Sequence, residues 1–97
     1  MSMIDVFNVQ KTPAQISSGV AKRAAKRRKE LGLSQAELAE RAAVSLGSLR
    51  RFEQTGAIAF ESLVRICFAL GCENDLDALF SKRAYRSIQE VIDAQSR

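Results

Sequence analysis

Residues 34–56 read "SQAELAERAAVSLGSLRRFEQTG", two short helical segments separated only by "AVS". Nothing else in the chain restricts the fold as strongly. Ser34 is followed three positions later by Glu37, the reciprocal capping pair that opens a helix, and Leu38, Ala39 and Ala42 then share one face. Ser45 is placed to cap the next segment, which carries Leu49 and Phe52 and stops at Gly56, as a C-terminal glycine would. A break of three residues allows one tight turn, so the two helices must be neighbours in space.

The remainder of the chain is also helical. Thr12–Pro13 has the form of an N-cap with proline in the first turn. The segment that follows carries Ile16, Val20, Ala24 and Leu31 at helical spacing and ends at Gly32. Arg28 falls on that same stripe, and a charge on a buried face needs a partner. "FESLVRICFAL" predicts a fourth helix with Leu63, Ile66, Cys67 and Leu70 inward, closed by Gly71, and "ENDLDALF" a short fifth presenting Leu76, Leu79 and Phe80. With 97 residues, 46% hydrophobic, five glycines and one proline, the chain suits one helical core rather than two domains or a turn-rich sandwich. The expected architecture is all-α, a compact five-helix domain over residues 13–80 with extensions at 1–12 and 81–97. In the first extension Ile4, Val6 and Val9 alternate loosely, which fits a strand needing a partner chain or a simple tail.

Several functions find little support in the composition. Histidine is absent, which removes the commonest general base and metal ligand. Cys67 and Cys72 cannot complete a four-ligand zinc site within one chain, and buried reduced thiols are the plainer reading. No nucleophile–base pair can be named, so neither enzyme, metal nor cofactor is expected. No apolar run reaches the length of a membrane span, and the N-terminus lacks a signal-peptide layout, so a cytoplasmic location is expected.

The charge is polarised. Net charge is +4, yet six basic residues between positions 22 and 29 face only Glu30, whereas residues 57–80 hold Glu61, Glu73, Asp75 and Asp77 against Arg65. Such polarity suits a polyanion on one side. The tight turn in a basic domain makes a helix-turn-helix unit, whose second helix enters the major groove of DNA with its N-terminal end. Gly47 then becomes intelligible. A glycine costs a helix interior about 1 kcal/mol, but at the leading edge of a reading helix it lets the backbone come close to bases or phosphates. Leu46 can meet a thymine methyl, Arg51 a guanine edge through two hydrogen bonds, and Gln35 a phosphate at the start of the preceding helix.

"LGLSQAELAERAAVSLGSLRRFEQTG" resembles the Cro/cI-type (XRE) helix-turn-helix family, whose fold is lambda repressor-like. The likeness extends over about residues 20–80, with "GLSQ-x-ELA", "VS", Glu53 and Gly56 in register. It implies a buried ion pair between Arg28 and Glu53, a phosphate-anchoring Gln35, and base-reading positions at Ser45, Leu46, Gly47 and Arg51, with Ser48 or Arg50 assisting. Two departures stand out. Ala43 occupies the turn position usually held by glycine, which predicts an ordinary right-handed conformation there. "AIAF" after Gly56 lacks a common phosphate-contacting lysine. With Leu46 and Gly47 in place of polar residues, specificity should rest on few bases and on DNA shape.

A family of this kind implies dimeric binding to a palindromic operator in double-stranded DNA. Phe68 lies off the inward stripe of its helix, and the tail "SKRAYRSIQEVIDAQSR" brings Tyr85, Ile88, Val91 and Ile92 at helical spacing. That amphipathic face either folds back on its own domain or meets another chain. "RRFEQTG…FESLVRI…ALG…DLDALF" followed by "YRSIQEVI" is similar to the HipB-like regulators encoded beside HipA-type kinase toxins. The resemblance implies autoregulation of a toxin–antitoxin operon and a complex with the kinase. An antitoxin that acts chiefly by inhibiting the kinase, and a stand-alone repressor, are the alternatives.

Overall fold

The computed structural model describes residues 11–84 and 88–95. Six helices follow one another: α1 (Pro13–Glu30), α2 (Gln35–Ala42), α3 (Leu46–Thr55), α4 (Phe60–Leu70), α5 (Glu73–Asp77) and α6 (Ile88–Gln95). The first five are those expected of the domain, and α6 lies in the C-terminal tail. There is no strand among the described residues. The strand-or-tail reading of residues 1–10, Tyr85, and the side chains of Ile88 and Val91 lie outside what is described.

The starts of α1, α2 and α3 are built by side chains. Thr12 and Gln15 form a capping box at α1, and Ser34 and Glu37 form another at α2. At α3 the Ser45 hydroxyl accepts the Ser48 N–H at 3.0 Å. α1 packs chiefly on α3, and α2 on α4 and α3, around Leu38, Leu49, Phe52 and Ile66, the largest fully buried side chains. Burying each such side chain contributes about 1.5–3 kcal/mol. Ala21, Leu33, Ala39, Ala42 and Leu70 complete the core.

Four expectations need correction. On α1, Ile16 is 55% exposed and Leu31 52% exposed; the buried positions are Ala21 and Arg28, with Val20 and Ala24 alongside. Leu31 is the C-cap and Gly32 then takes a left-handed φ of 72°, so the chain bends and Leu33 enters the core in its place. The fifth helix ends at Asp77, and the helical spacing that would have carried Leu79 and Phe80 inward is lost: they are 50% and 93% exposed. Cys67 and Cys72 are free thiols but only half-buried. Burial first, then the neighbouring Cys72, pushes the Cys67 thiol up to about 11, so it stays protonated near neutrality.

The fourth correction lies in the turn. Ala43 adopts φ 55° and ψ 40°, left-handed rather than right-handed. It is the C-cap of α2, where the chain must reverse while Ala43 N–H bonds the Glu40 carbonyl and Val44 N–H the Ala39 carbonyl. Arg65 Nη1 donates to the Ala43 carbonyl at 3.2 Å. Left-handed backbone costs an L-residue about 1–2 kcal/mol, so closing the core overrides local preference here. Gly56 is constrained twice over: its φ is 81°, and a Cβ would lie 2.8 Å from the Ser17 carbonyl carbon of α1. We expect Ala43→Gly to raise unfolding free energy by about 0.5–1 kcal/mol. Gly56→Ala should lower it by more than about 1 kcal/mol, both read from urea melts. Equal, negligible effects would show that neither backbone angle is held as described.

Candidate nucleic-acid interface

The site begins with the buried charge on α1. Arg28 donates from Nε to Glu53 Oε2 at 2.8 Å, from Nη2 to Glu53 Oε1 at 3.0 Å, and from Nη1 to the Leu33 carbonyl at 2.8 Å. The two side chains are 10% and 8% exposed. This is a two-pronged arginine–carboxylate pair, the strongest geometry such a pair takes. Gln35 Nε2 adds a third donor to Glu53 Oε1 at 2.8 Å. One carboxylate therefore joins α1, the first residue of α2, and α3.

That network orients the face that α3 presents. Gln35 is half-buried, held by Glu53, and lines the cleft between α1 and α3. Ser45 and Ser48 are exposed, but their hydroxyls bond each other at 2.7 Å while Ser45 caps the helix, so both are partly engaged. Leu46 is half-buried and packs on the core, which the isolated sequence had not assigned it. Gly47 is exposed, and a Cβ there would meet nothing within 4 Å. Nothing inside the domain requires a glycine at that place. Arg50 and Arg51 are both exposed on adjacent positions of α3. Arg51 borders a shallow hollow with Ser48, Ile58 and Ser62, so the α3–α4 loop shapes the surface beside it.

The candidate partner residues are elsewhere. Phe68 is 64% exposed on α4, and Ile92 is 48% exposed on α6. Phe60, also 64% exposed, lines a groove with Val64, Phe68 and Leu76. Phe60 was not among the expected interface residues, because its place at the start of α4 gives no periodic signal. Two long-range ties were equally silent in sequence: Arg27 Nε donates to the Leu70 carbonyl at 2.8 Å, and Arg65 reaches the turn.

Burial raises the Glu53 carboxyl, but the hydrogen bonds from Arg28 and Gln35 and the charges of Arg28 and Lys29 outweigh it, holding the group below its ordinary range. A carboxylate depressed by folding contributes stability that is complete above its unfolded pKa and is lost as pH falls through the folded value. Glu53→Gln should therefore cost about 3 kcal/mol near neutrality, because it leaves the Arg28 charge buried without its counter-ion. The gap from the parent should close progressively in acid. Urea denaturation at a series of pH values reads this, and a gap constant with pH would show that the Glu53 charge is not responsible.

Two comparisons bear on identity. The helix-turn-helix family matches the chain over residues 25–73, which takes in the last third of α1, the whole of α2, α3 and α4, and the first residue of α5. A search of curated proteins returns no match. The matched span contains Arg28, Gln35, the left-handed turn, the whole of α3 and Glu53, and it covers half of the chain. This chain belongs to the XRE-type helix-turn-helix family of DNA-binding regulatory domains.

Proposed function

We propose that this protein is a cytoplasmic, sequence-specific transcriptional repressor that binds operator DNA as a homodimer. The observation that carries the reading is the placement of exposed Gly47, Arg50 and Arg51 on a helix locked to α1 and α2 through Arg28, Glu53 and Gln35. A rigid, capped helix with a cationic outer face is what major-groove reading needs. Arg51 is the base-reading arginine, and Ser45, Ser48 and Arg50 serve as secondary base or phosphate contacts. Leu46 divides its side chain between the core and a thymine methyl. Gly47 lets the α3 backbone approach the DNA, since no neighbour among the described residues fills the space beside it.

The test is fluorescence anisotropy on DNA from directly upstream of the gene against scrambled DNA, at two salt concentrations. Preference for the upstream duplex should survive the higher salt, while non-specific binding falls steeply. Arg51→Ala should cost about 1–3 kcal/mol of operator binding and relax the preference. Unchanged affinity at fixed salt would remove Arg51 from the reading role.

A second surface favours a protein partner. The groove between α4 and α5 is about 400 Å³, lined by Phe60, Val64, Phe68 and Leu76, with Glu73 and Asp77 at its edge. Glu73 Oε2 is buried without a hydrogen-bond partner among the described residues. An apolar slot with an unpaired acid calls for an amphipathic, cationic segment. In the HipB-like reading that segment belongs to a HipA-type kinase, the gene is part of the kinase toxin's operon, and the tail at residues 81–97 contributes a further contact. Phe68→Glu and deletion of residues 81–97 should each abolish co-purification with the co-expressed kinase while helicity and operator binding persist. Retention of the complex in both would remove the groove and the tail as its docking surfaces, and no complex with the unmodified protein would remove the kinase.

A further inference from the structure

α1 carries more positive charge than its packing uses. Arg28 is committed to Glu53, and Arg27 to the Leu70 carbonyl. Arg23 folds back along its own helix, with Nη1 3.2 Å from where a Cβ on Gly19 would sit. Lys22, Lys26 and Lys29 remain, all exposed, at a spacing that puts them on one face of the helix. They line one wall of a broad cleft of about 730 Å³, and Gln35, Glu53 and Gln54 line the opposite side. Glu53 carries no uncompensated charge there, since Arg28 neutralises it. Lys26 and Glu30 stand 4.0 Å apart with side chains 79% and 60% exposed, a surface pair worth little.

We propose that Lys22, Lys26 and Lys29, together with Gln54, hold the DNA sugar–phosphate backbone that flanks the half-site read by α3, adding a phosphate track beyond the bases that α3 contacts. The inference rests on the DNA-binding reading above. Its geometric basis is that the cleft opens beside α3 and shares Gln35 and Gln54 with the helix-turn-helix unit, so a strand lying against that unit continues over the lysines. Lys22 and Lys29 are about 10 Å apart along the helix axis. That spans about three base-pair steps of duplex rise, a stretch of strand long enough for the three lysines to reach different phosphates. Flexible ammonium groups suit such contacts, which add affinity without naming a base.

The test compares two variants that lose equal charge: Lys22→Gln/Lys26→Gln/Lys29→Gln, and a control, Lys11→Gln/Arg23→Gln/Lys82→Gln. Binding is followed across a salt series on a long upstream duplex and on one trimmed to the half-sites, with thermal melts confirming that each variant folds. Each lost phosphate contact lowers the log–log salt slope by about 0.9. The cleft variant should lose about 2–3 in slope on the long duplex and far less on the trimmed one, keeping its preference over scrambled DNA. Equal losses in both variants, or equal losses on both duplexes, would reduce the lysines to a diffuse field and overturn the track. No preference for upstream DNA in the unmodified protein is a different failure. It overturns the operator reading, and the track falls with it.

Discussion

A single buried carboxylate holds this domain in its working shape. Glu53 receives both prongs of Arg28 from α1 and the amide of Gln35 from α2, while sitting on α3 itself. Removing one partner of a buried pair typically costs about 3–5 kcal/mol, because the other charge is left uncompensated. An apolar replacement could supply similar stability, but it would not specify direction. Hydrogen bonds at fixed angles set where α3 sits relative to α1 and α2, and so where Arg50 and Arg51 emerge. The ion pair is best understood as the registry device of the fold.

The left-handed turn at Ala43 serves the same end at a local cost. A glycine would relax there without strain, yet the alanine is carried into the αL region. The hydrogen bonds of the α2 C-cap, the Arg65 contact to its carbonyl and the burial of Ala42 and Leu49 on either side hold it there. The turn reverses the chain within three residues and leaves Val44 packed against the core. Strain of about 1–2 kcal/mol is small beside the apolar burial on both sides.

The charge pattern divides the molecule by task. Basic residues gather along α1 and α3, and acidic ones around α4 and α5, where Glu73 and Asp77 border an apolar groove. Two copies docking groove to groove would set acid against acid, so this surface suits a cationic partner better than a second copy of itself. The basic surface of α1 and α3 and the acidic groove of α4 and α5 are thus separate surfaces of one small domain.

Much of this was legible in the primary structure because it is local. Capping pairs, the terminating Gly56 and the 3.6-residue periodicity of α2 to α4 depend on neighbours within a turn or two, and Arg28 on an apolar stripe already demanded a partner. The Cro/cI-type likeness supplied Glu53 as that partner. What lay beyond reach was long-range. Leu33 replaces Leu31 in the core because Gly32 bends the chain, and α5 stops before Leu79 and Phe80 turn inward. Leu46 is drawn partly into the core, and Arg27 and Arg65 spend their donors on distant carbonyls. By itself the sequence determined which segments are helices, where they begin, and that a helix with adjacent arginines follows a tight turn. Only the tertiary structure decided which cations remain available to a ligand and which backbone angles bear strain, because both depend on groups brought together from far along the chain.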